Sequence, residues 1–142
     1  MLRLFWYAFT EALKPEFQEY AQNIVKNSAV LAETLISEGM TIMTGGTDNH
    51  LVLIDVTPFG ITGRQAASAV RDCGITLNKN GIPHDKLSPM ITSGLRIGTA
   101  ALTSLGMGTE EMREVAKIIK LVVTGTKGGV VASGKNEGKP SK

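Results

Sequence analysis

The pattern of apolar and polar residues predicts a long amphipathic helix over residues 15–38. Pro15 suits the first turn of a helix, where its missing N–H costs nothing, and Gly39 supplies a C-terminal stop. The positions that recur at three- and four-residue steps along this helix are Phe17, Tyr20, Ala21, Ile24, Ser28, Leu31 and Leu35.

The following segment predicts two strands and a second helix. Residues 40–44 (MTIMT) and 50–56 (HLVLIDV) are typical of strands, and the turn-forming sequence GGTDN joins them. Thr62 and Gln65 have the spacing of a capping box. They predict a helix through TGRQAASAVRDC that ends at Gly74.

The last third of the pattern predicts two short strands and a final helix. Residues 75–77 (ITL) and 94–98 (GLRIG) favour strands, and the proline- and asparagine-rich residues 78–92 between them favour a loop. Thr109 is expected to cap the final helix. The apolar stripe of that helix is Met112, Val115, Ala116, Ile119 and Val122.

Helices and short strands in this order predict a small α/β layer sandwich, in which helices cover one face of a sheet. After Val123 the periodicity ends, and the Gly-, Ser- and Lys-rich residues 125–142 are expected to form a flexible tail. A fold class of this kind does not by itself specify a function.

Composition excludes several classes of protein. The chain has 142 residues, a net charge of +2 and one cysteine, which suit a single domain or a piece of a larger protein. The charge is too small to indicate a nucleic-acid surface, although the lysines of the tail keep a nucleic-acid binder as a minor alternative. One cysteine excludes a disulfide framework, and no apolar run is long enough for a membrane span.

The first residues contain an aromatic cluster. Four of the seven aromatic residues, Phe5, Trp6, Tyr7 and Phe9, lie in MLRLFWYAF and require a partner surface if they are exposed. The segment loosely resembles a signal peptide, but charged residues follow at once and a small-residue cleavage site is missing. We therefore expect a cytoplasmic protein.

Arg96 is the one charge in the run SPMITSGLRIGTAALTSLGMG, residues 88–108, which otherwise has the character of a buried segment. A guanidinium is costly to bury without a partner, and its planar fork matches a carboxylate or a phosphate. Two interpretations stay open on the residues alone. Arg96 binds an anionic ligand, or it forms a buried ion pair with an acidic side chain such as Asp55.

Other candidate groups are weaker. The loop over residues 78–92 offers amides, a lysine and two prolines, which are typical of the polar rim of a ligand site. His50 is expected to be structural, His84 to be solvated, and Cys73 lies near a helix C-terminus, which does not favour a nucleophile. The sequence therefore predicts half of a binding site, without a nucleophile–base pair or a metal cluster.

Five stretches of the chain resemble the C-terminal part of serine hydroxymethyltransferase, also called glycine hydroxymethyltransferase. They are EALKPEFQEYAQNIVKNSAVLAETLISEG, GGTDNHLVLIDV, TGRQAASAV, NKNGIP and SPMITSGLRIGTAALTSLGMG. The resemblance implies the C-terminal small domain of a fold-type I, pyridoxal-phosphate-dependent transferase of the aspartate-aminotransferase type. It implies the interconversion of serine and glycine with one-carbon transfer to tetrahydrofolate, in a homo-oligomer.

The resemblance also implies roles for particular residues. Arg96 binds the carboxylate of serine or glycine, so that the partner of its charge arrives with the ligand. The residues implied on the folate side are Lys79, Asn80, Ser88, Pro89 and Met90. Met90 departs from the aromatic residue usual in the family, which affects the details of the folate contact.

Leu105 also departs from the family, in which an arginine is common at this position, and a larger departure concerns the cofactor. The family's Schiff-base lysine follows a histidine in a threonine-rich motif, whereas His50 precedes Leu51 and His84 precedes Asp85. The resemblance therefore places no catalytic residue in this chain, which we expect to be inactive alone. It divides the chain into an atypical start (1–8), the small domain (9–124) and the tail (125–142). The alternative is an inactive, truncated module that docks onto a full-length homologue.

Overall fold

The computed structural model describes residues 2–129. Within this range the helices are α1 (Leu2–Ala12), α2 (Pro15–Ser37), α3 (Gly63–Asp72), α4 (Ala100–Ser104) and α5 (Thr109–Gly125). The strands are β1 (Thr41–Ile42), β2 (Leu51–Asp55), β3 (Asn78–Asn80) and β4 (Gly94–Gly98), and a 3-10 turn spans Thr57–Phe59.

The four strands form one antiparallel sheet in the order β1-β2-β4-β3. Side chains alternate across it, so that Val52 and Ile54 of β2 and Leu95 and Ile97 of β4 are buried on one face. That face packs against the apolar stripes of α2, α3 and α5, which contribute Leu31, Leu35, Ala66, Val70, Met112, Ala116 and Ile119. The predicted fold class, a short sheet covered by helices on one face, is confirmed.

Local sequence signals place the main helices. Pro15 is the first residue of α2, and Gly39 and Gly74 adopt positive φ angles of 78° and 86° just beyond the ends of α2 and α3. The capping box is present: the amide of Gln65 donates to Thr62 Oγ1 (3.3 Å), and the amide of Thr62 donates to Gln65 Oε1 (3.1 Å). Strand β4 matches the predicted residues 94–98.

The strand predicted at residues 75–77 is wrong. The amide of Ile75 donates to the carbonyl of Val70, which completes the end of α3, and the strand follows at Asn78–Asn80. The loop predicted over residues 78–92 therefore begins with an edge strand. Asn, Lys and Asn have low β-propensity, but their backbone pairs with Gly94, Leu95 and Arg96, and this long-range pairing outweighs local preference.

Other boundaries also differ from the sequence prediction. Strand β1 has two residues rather than five, and the short helix α4 and the first helix α1 carry no strong signal in the sequence. Gly108, not Thr109, is the N-cap of α5, where its amide donates to the Glu111 carboxylate (2.8 Å). Residues 130–142, which hold most of the expected tail, lie outside the described residues.

Helix α1 packs little against the other described residues. Its side chains Leu4, Trp6 and Tyr7 are 76%, 77% and 70% exposed, and Phe5 and Phe9 are also exposed. None of the described helices is long and apolar enough to cross a membrane.

Candidate functional site

Arg96 lies at the centre of β4 and is exposed, although both of its neighbours, Leu95 and Ile97, are buried. The expectation that Arg96 is buried is therefore wrong, because strand alternation turns it to the face of the sheet that the helices leave open. In the register of the sheet it lies between Leu53 of β2 and Asn78 of β3.

An open cavity of about 600 Å³ lies over this face of the sheet. It is lined by residues 44–49, Leu51, Leu53, Asn80 and Arg96. The sequence GGTDN forms the predicted turn, with Gly45 at a φ angle of 70°. Sequence reasoning missed that this turn faces Arg96, because only the pairing of β2 with β4 brings the two segments together.

Side-chain hydrogen bonds fix the end of the turn against β2. Thr47 Oγ1 donates to the carbonyl of Leu51 (2.7 Å), and the amide of Leu51 donates to Asn49 Oδ1 (2.8 Å). Such short-range bonds are typical of Thr and Asn in turns. They restrict the backbone of the turn, which is not held in place by a hydrophobic core.

Arg96 has no acidic partner among residues 2–129. The ion pairs there are Arg113 with Glu110 and Lys117 with Glu114, both on α5. Asp55 instead accepts hydrogen bonds at Oδ1 from the amide and the hydroxyl of Thr57 (2.8 and 2.7 Å). The alternative of an Arg96–Asp55 ion pair is therefore wrong.

Asp85 organises the loop that precedes β4. Its carboxylate accepts hydrogen bonds from the amides of Ile82, Leu87 and Ser93 and from the Ser93 hydroxyl (2.7 Å). Burial raises the pKa of Asp85, but the hydrogen bonds from the Ser93 hydroxyl and the three amides outweigh it and lower the pKa to about 2. Sequence reasoning missed this residue, since its partners come from both ends of a long loop.

The loop ends in a strained residue that joins it to α3. Thr92 is buried and has a φ angle of 60°, which is rare for a β-branched residue. Its carbonyl accepts from the amide of Gly63 (2.8 Å), and the carbonyl of Ile91 accepts from the amide of Arg64 (3.0 Å). The start of β4 is therefore held against the first turn of α3.

Gly63 allows this close approach. A Cβ atom on Gly63 would lie 2.4 Å from the carbonyl oxygen of Gly94 and 2.5 Å from Thr92 Oγ1. Because backbone cannot move aside as a flexible side chain can, a larger residue at position 63 would displace β4, the strand that carries Arg96.

The sequence profile of the family described as serine hydroxymethyltransferase matches residues 5–119. The chain belongs to the serine hydroxymethyltransferase family. Its fold is that of the C-terminal small domain of these fold-type I enzymes.

Two curated relatives show how much of such a protein the chain represents. It is 54% identical over 116 residues to serine hydroxymethyltransferase of Treponema pallidum, covering 82% of this chain and 20% of the relative. It is 54% identical over 112 residues to serine hydroxymethyltransferase 2 of Rhodopseudomonas palustris, covering 79% of this chain and 26% of the relative. The chain thus spans about a fifth to a quarter of the length of these serine hydroxymethyltransferases.

The five folate-side residues expected for a serine hydroxymethyltransferase are not all near Arg96. Asn80 lines the same cavity, with its Nδ2 donating to the carbonyl of Gly81 (2.7 Å). Lys79 pairs with buried Leu95 and therefore points to the opposite face, where its Nζ donates to the carbonyl of Pro89 (2.9 Å). Ser88, Pro89 and Met90 are exposed at the end of the loop and do not line the cavity.

The donor set of the cavity suits an anionic group and does not suit pyridoxal phosphate. Its lining includes one guanidinium, amides, hydroxyls and one carboxylate, that of Asp48, which accepts a hydrogen bond from Asn49 Nδ2 (3.0 Å); none of the described residues that line it is a lysine. An aldehyde cofactor held as a Schiff base requires such a lysine. Within residues 2–129 no group of three or more His, Cys, Asp and Glu residues could hold a metal ion.

Proposed function

We propose that this chain is the C-terminal part of an enzyme that interconverts serine and glycine, with one-carbon transfer to tetrahydrofolate. In this proposal Arg96 binds the carboxylate of the amino-acid substrate. Membership of the serine hydroxymethyltransferase family supports the reaction, and the environment of Arg96 supports the role of this residue.

The observation that carries the proposal is an exposed guanidinium at the centre of a strand, above an open cavity and without an acidic partner among the described residues. A carboxylate that enters the cavity can accept two parallel hydrogen bonds from the guanidinium. This interaction fixes the orientation of the bonds around the substrate's α-carbon, which is where the chemistry of serine and glycine takes place.

On the folate side, Asn80 has the strongest support. It shares the cavity with Arg96, and its amide can both donate and accept hydrogen bonds to a polar ring. Lys79, Ser88, Pro89 and Met90 are proposed for the folate side on the resemblance alone, because they lie outside the cavity and Lys79 Nζ donates to the Pro89 carbonyl on the other face of the sheet. Met90 is 69% exposed, so it has the freedom to adapt to a ligand.

Pyridoxal phosphate, when bound in the complete enzyme, supplies the electron sink for this chemistry. Because none of the described residues that line the cavity is a lysine, we expect the 142 residues assayed alone not to turn over serine. The contribution of this chain is to bind the substrate carboxylate and orient the substrate.

A chimeric enzyme tests the role of Arg96. Residues 9–124 of this chain replace the matching segment of the Treponema pallidum enzyme, and Arg96→Ala is compared with the unmodified chimera. We expect kcat/KM for serine to fall by a factor that corresponds to a loss of about 2–5 kcal/mol in transition-state binding. Arg113→Ala, which removes an exposed pair on α5, is the matched control. Unchanged kinetics in Arg96→Ala would contradict the assignment.

The exposed aromatic residues of α1 favour a second candidate function, a non-catalytic module that docks onto an intact homologue. Phe5, Trp6 and Tyr7 are 58%, 77% and 70% exposed, a density of apolar surface that is typical of an interface. The test is co-purification of the chain with the Treponema pallidum enzyme, with Trp6→Ser as the control. Co-purification that Trp6→Ser abolishes supports docking, and clean separation on size exclusion contradicts it.

A further inference from the structure

A second cavity, of about 380 Å³, lies between α3 and β3 and is lined by three cationic side chains. Arg64 and Arg71 come from α3, and Lys79 comes from β3. Arg64, Ser68 and Arg71 have the spacing i, i+4 and i+7, which places them along one stripe of the helix. Over seven residues the helix rises by about 10 Å, so the groove is long enough for more than one anionic group.

This groove lies on the other face of the sheet from Arg96. Lys79 is opposite Leu95 in the register, and the Leu95 side chain is buried against the helices. The Lys79 ammonium therefore lies on the helix side of the sheet, where one of its N–H groups donates to the carbonyl of Pro89 (2.9 Å). Two N–H groups remain for a ligand.

The positive charges of the groove are not compensated by the described residues around it. None of its lining residues is acidic, and none of the three cations forms an ion pair within residues 2–129. Arg71 donates to the Ser68 hydroxyl (3.3 Å), which orients the guanidinium without neutralising it. Three positive charges in one groove exceed the net charge of the whole chain, +2, and a concave surface of one sign concentrates counter-ions.

We propose that this groove binds a small polyanion that carries two or more phosphate or carboxylate groups. Two guanidinium forks provide bidentate contacts, and the lysine provides a point charge. The first two amides of α3 already donate to the carbonyls of Thr92 and Ile91, so the side chains rather than the helix end form the site. The volume is at the lower end of the range of small-ligand sites.

Isothermal titration of the complete 142-residue chain with inorganic pyrophosphate and, separately, with tricarballylate tests the proposal. The titrations are made at about 0.15 M salt, where distant surface charges are screened. We expect saturable one-to-one binding of at least one anion. Preference for pyrophosphate assigns the site to phosphates, and preference for tricarballylate assigns it to polycarboxylates.

Two variants show whether the binding is at this groove. The double variant Arg64→Gln, Arg71→Gln is expected to weaken binding by about tenfold or more, since it removes both forks. Arg113→Gln removes a guanidinium on α5 and is expected to leave the affinity unchanged, with thermal unfolding as a check that each variant is folded. Failure of both anions to saturate the chain, or equal affinity of the double variant, would overturn the proposal.

Discussion

The two faces of the sheet use the same strands for opposite purposes. On the face that the helices cover, Val52, Ile54, Leu95 and Ile97 are almost completely buried in a continuous core. On the open face, Leu51 and Leu53 are only half-buried, and Arg96 is exposed above the cavity. Adjacent residues of β4 therefore differ in role: the buried ones contribute to stability, and the exposed one is the residue proposed to bind a ligand.

The alternation of buried and exposed residues along β4 explains how a guanidinium can lie in an apolar segment. A strand whose alternate residues are buried presents the residues between them at a fixed spacing and orientation. The backbone beneath Arg96 is rigid because its neighbours are packed, so the side chain is positioned without an ion pair. We infer that the absence of an acidic partner among the described residues reserves the charge for a ligand.

The largest predicted effect is a difference in stability between variants of two adjacent residues of β4, which lie on opposite faces of the sheet. Leu95→Ala removes a fully buried side chain, and we expect it to lower the free energy of unfolding by about 2–5 kcal/mol. Arg96→Ala changes an exposed side chain and is expected to alter that free energy by less than about 0.5 kcal/mol. Urea denaturation of the two variants measures both. An equal loss of unfolding free energy in the two variants would contradict the assignment of stability to the buried face alone.

A second prediction concerns the contact that holds β4 against α3. Gly63→Ala places a Cβ atom 2.4 Å from the Gly94 carbonyl oxygen, and we expect a loss of about 1–3 kcal/mol in the free energy of unfolding. Gly46→Ala is the matched control on the open face, because no atom lies within 4 Å of a Cβ there. If both variants unfold at the same urea concentration, the close approach of β4 does not limit the size of the side chain at position 63.

A third prediction concerns Asp85, whose role is to order the loop before β4. Asp85→Asn keeps the shape of the side chain but removes its charge. We expect a loss of about 1–3 kcal/mol in the free energy of unfolding, because hydrogen bonds to a neutral acceptor are weaker than those to a carboxylate. The folded-state pKa is lowered from 3.8 to about 2. The stabilisation is therefore fully present above pH 3.8 and is lost as the pH falls through about 2.

Unfolding measured across this acidic range checks the assignment. Wild type should lose the Asp85 contribution as the pH falls below 3.8, and Asp85→Asn should lack that part of the pH dependence. An identical pH dependence in the two proteins would show that another carboxylate is responsible.

Local signals in the sequence were sufficient for α2, α3, α5 and β4. Pro15, the Thr62–Gln65 capping box and the alternation around Arg96 act within a few residues of one another. The edge strand β3 could not be predicted, because its Asn and Lys residues pair with β4 through long-range backbone contacts alone.

The candidate site was predictable only in part. Arg96 is a conspicuous charge in an apolar segment, and Asn80 was identified through the resemblance of its motif. The opposite orientation of Lys79 depends on the register with Leu95, and the approach of the GGTDN turn depends on the pairing of β2 with β4. Neither could be predicted before the sheet order was known.

The most direct test of the proposed role of Arg96 is whether this residue recognises the substrate carboxylate itself. The chimera and its Arg96→Ala variant are each assayed with serine and with serinamide, which lacks the negative charge. We expect the chimera to prefer serine and Arg96→Ala to abolish most of this preference, about 2–5 kcal/mol, by slowing the reaction of serine far more than that of serinamide. A preference that survives in Arg96→Ala would contradict the central claim that Arg96 binds the substrate carboxylate.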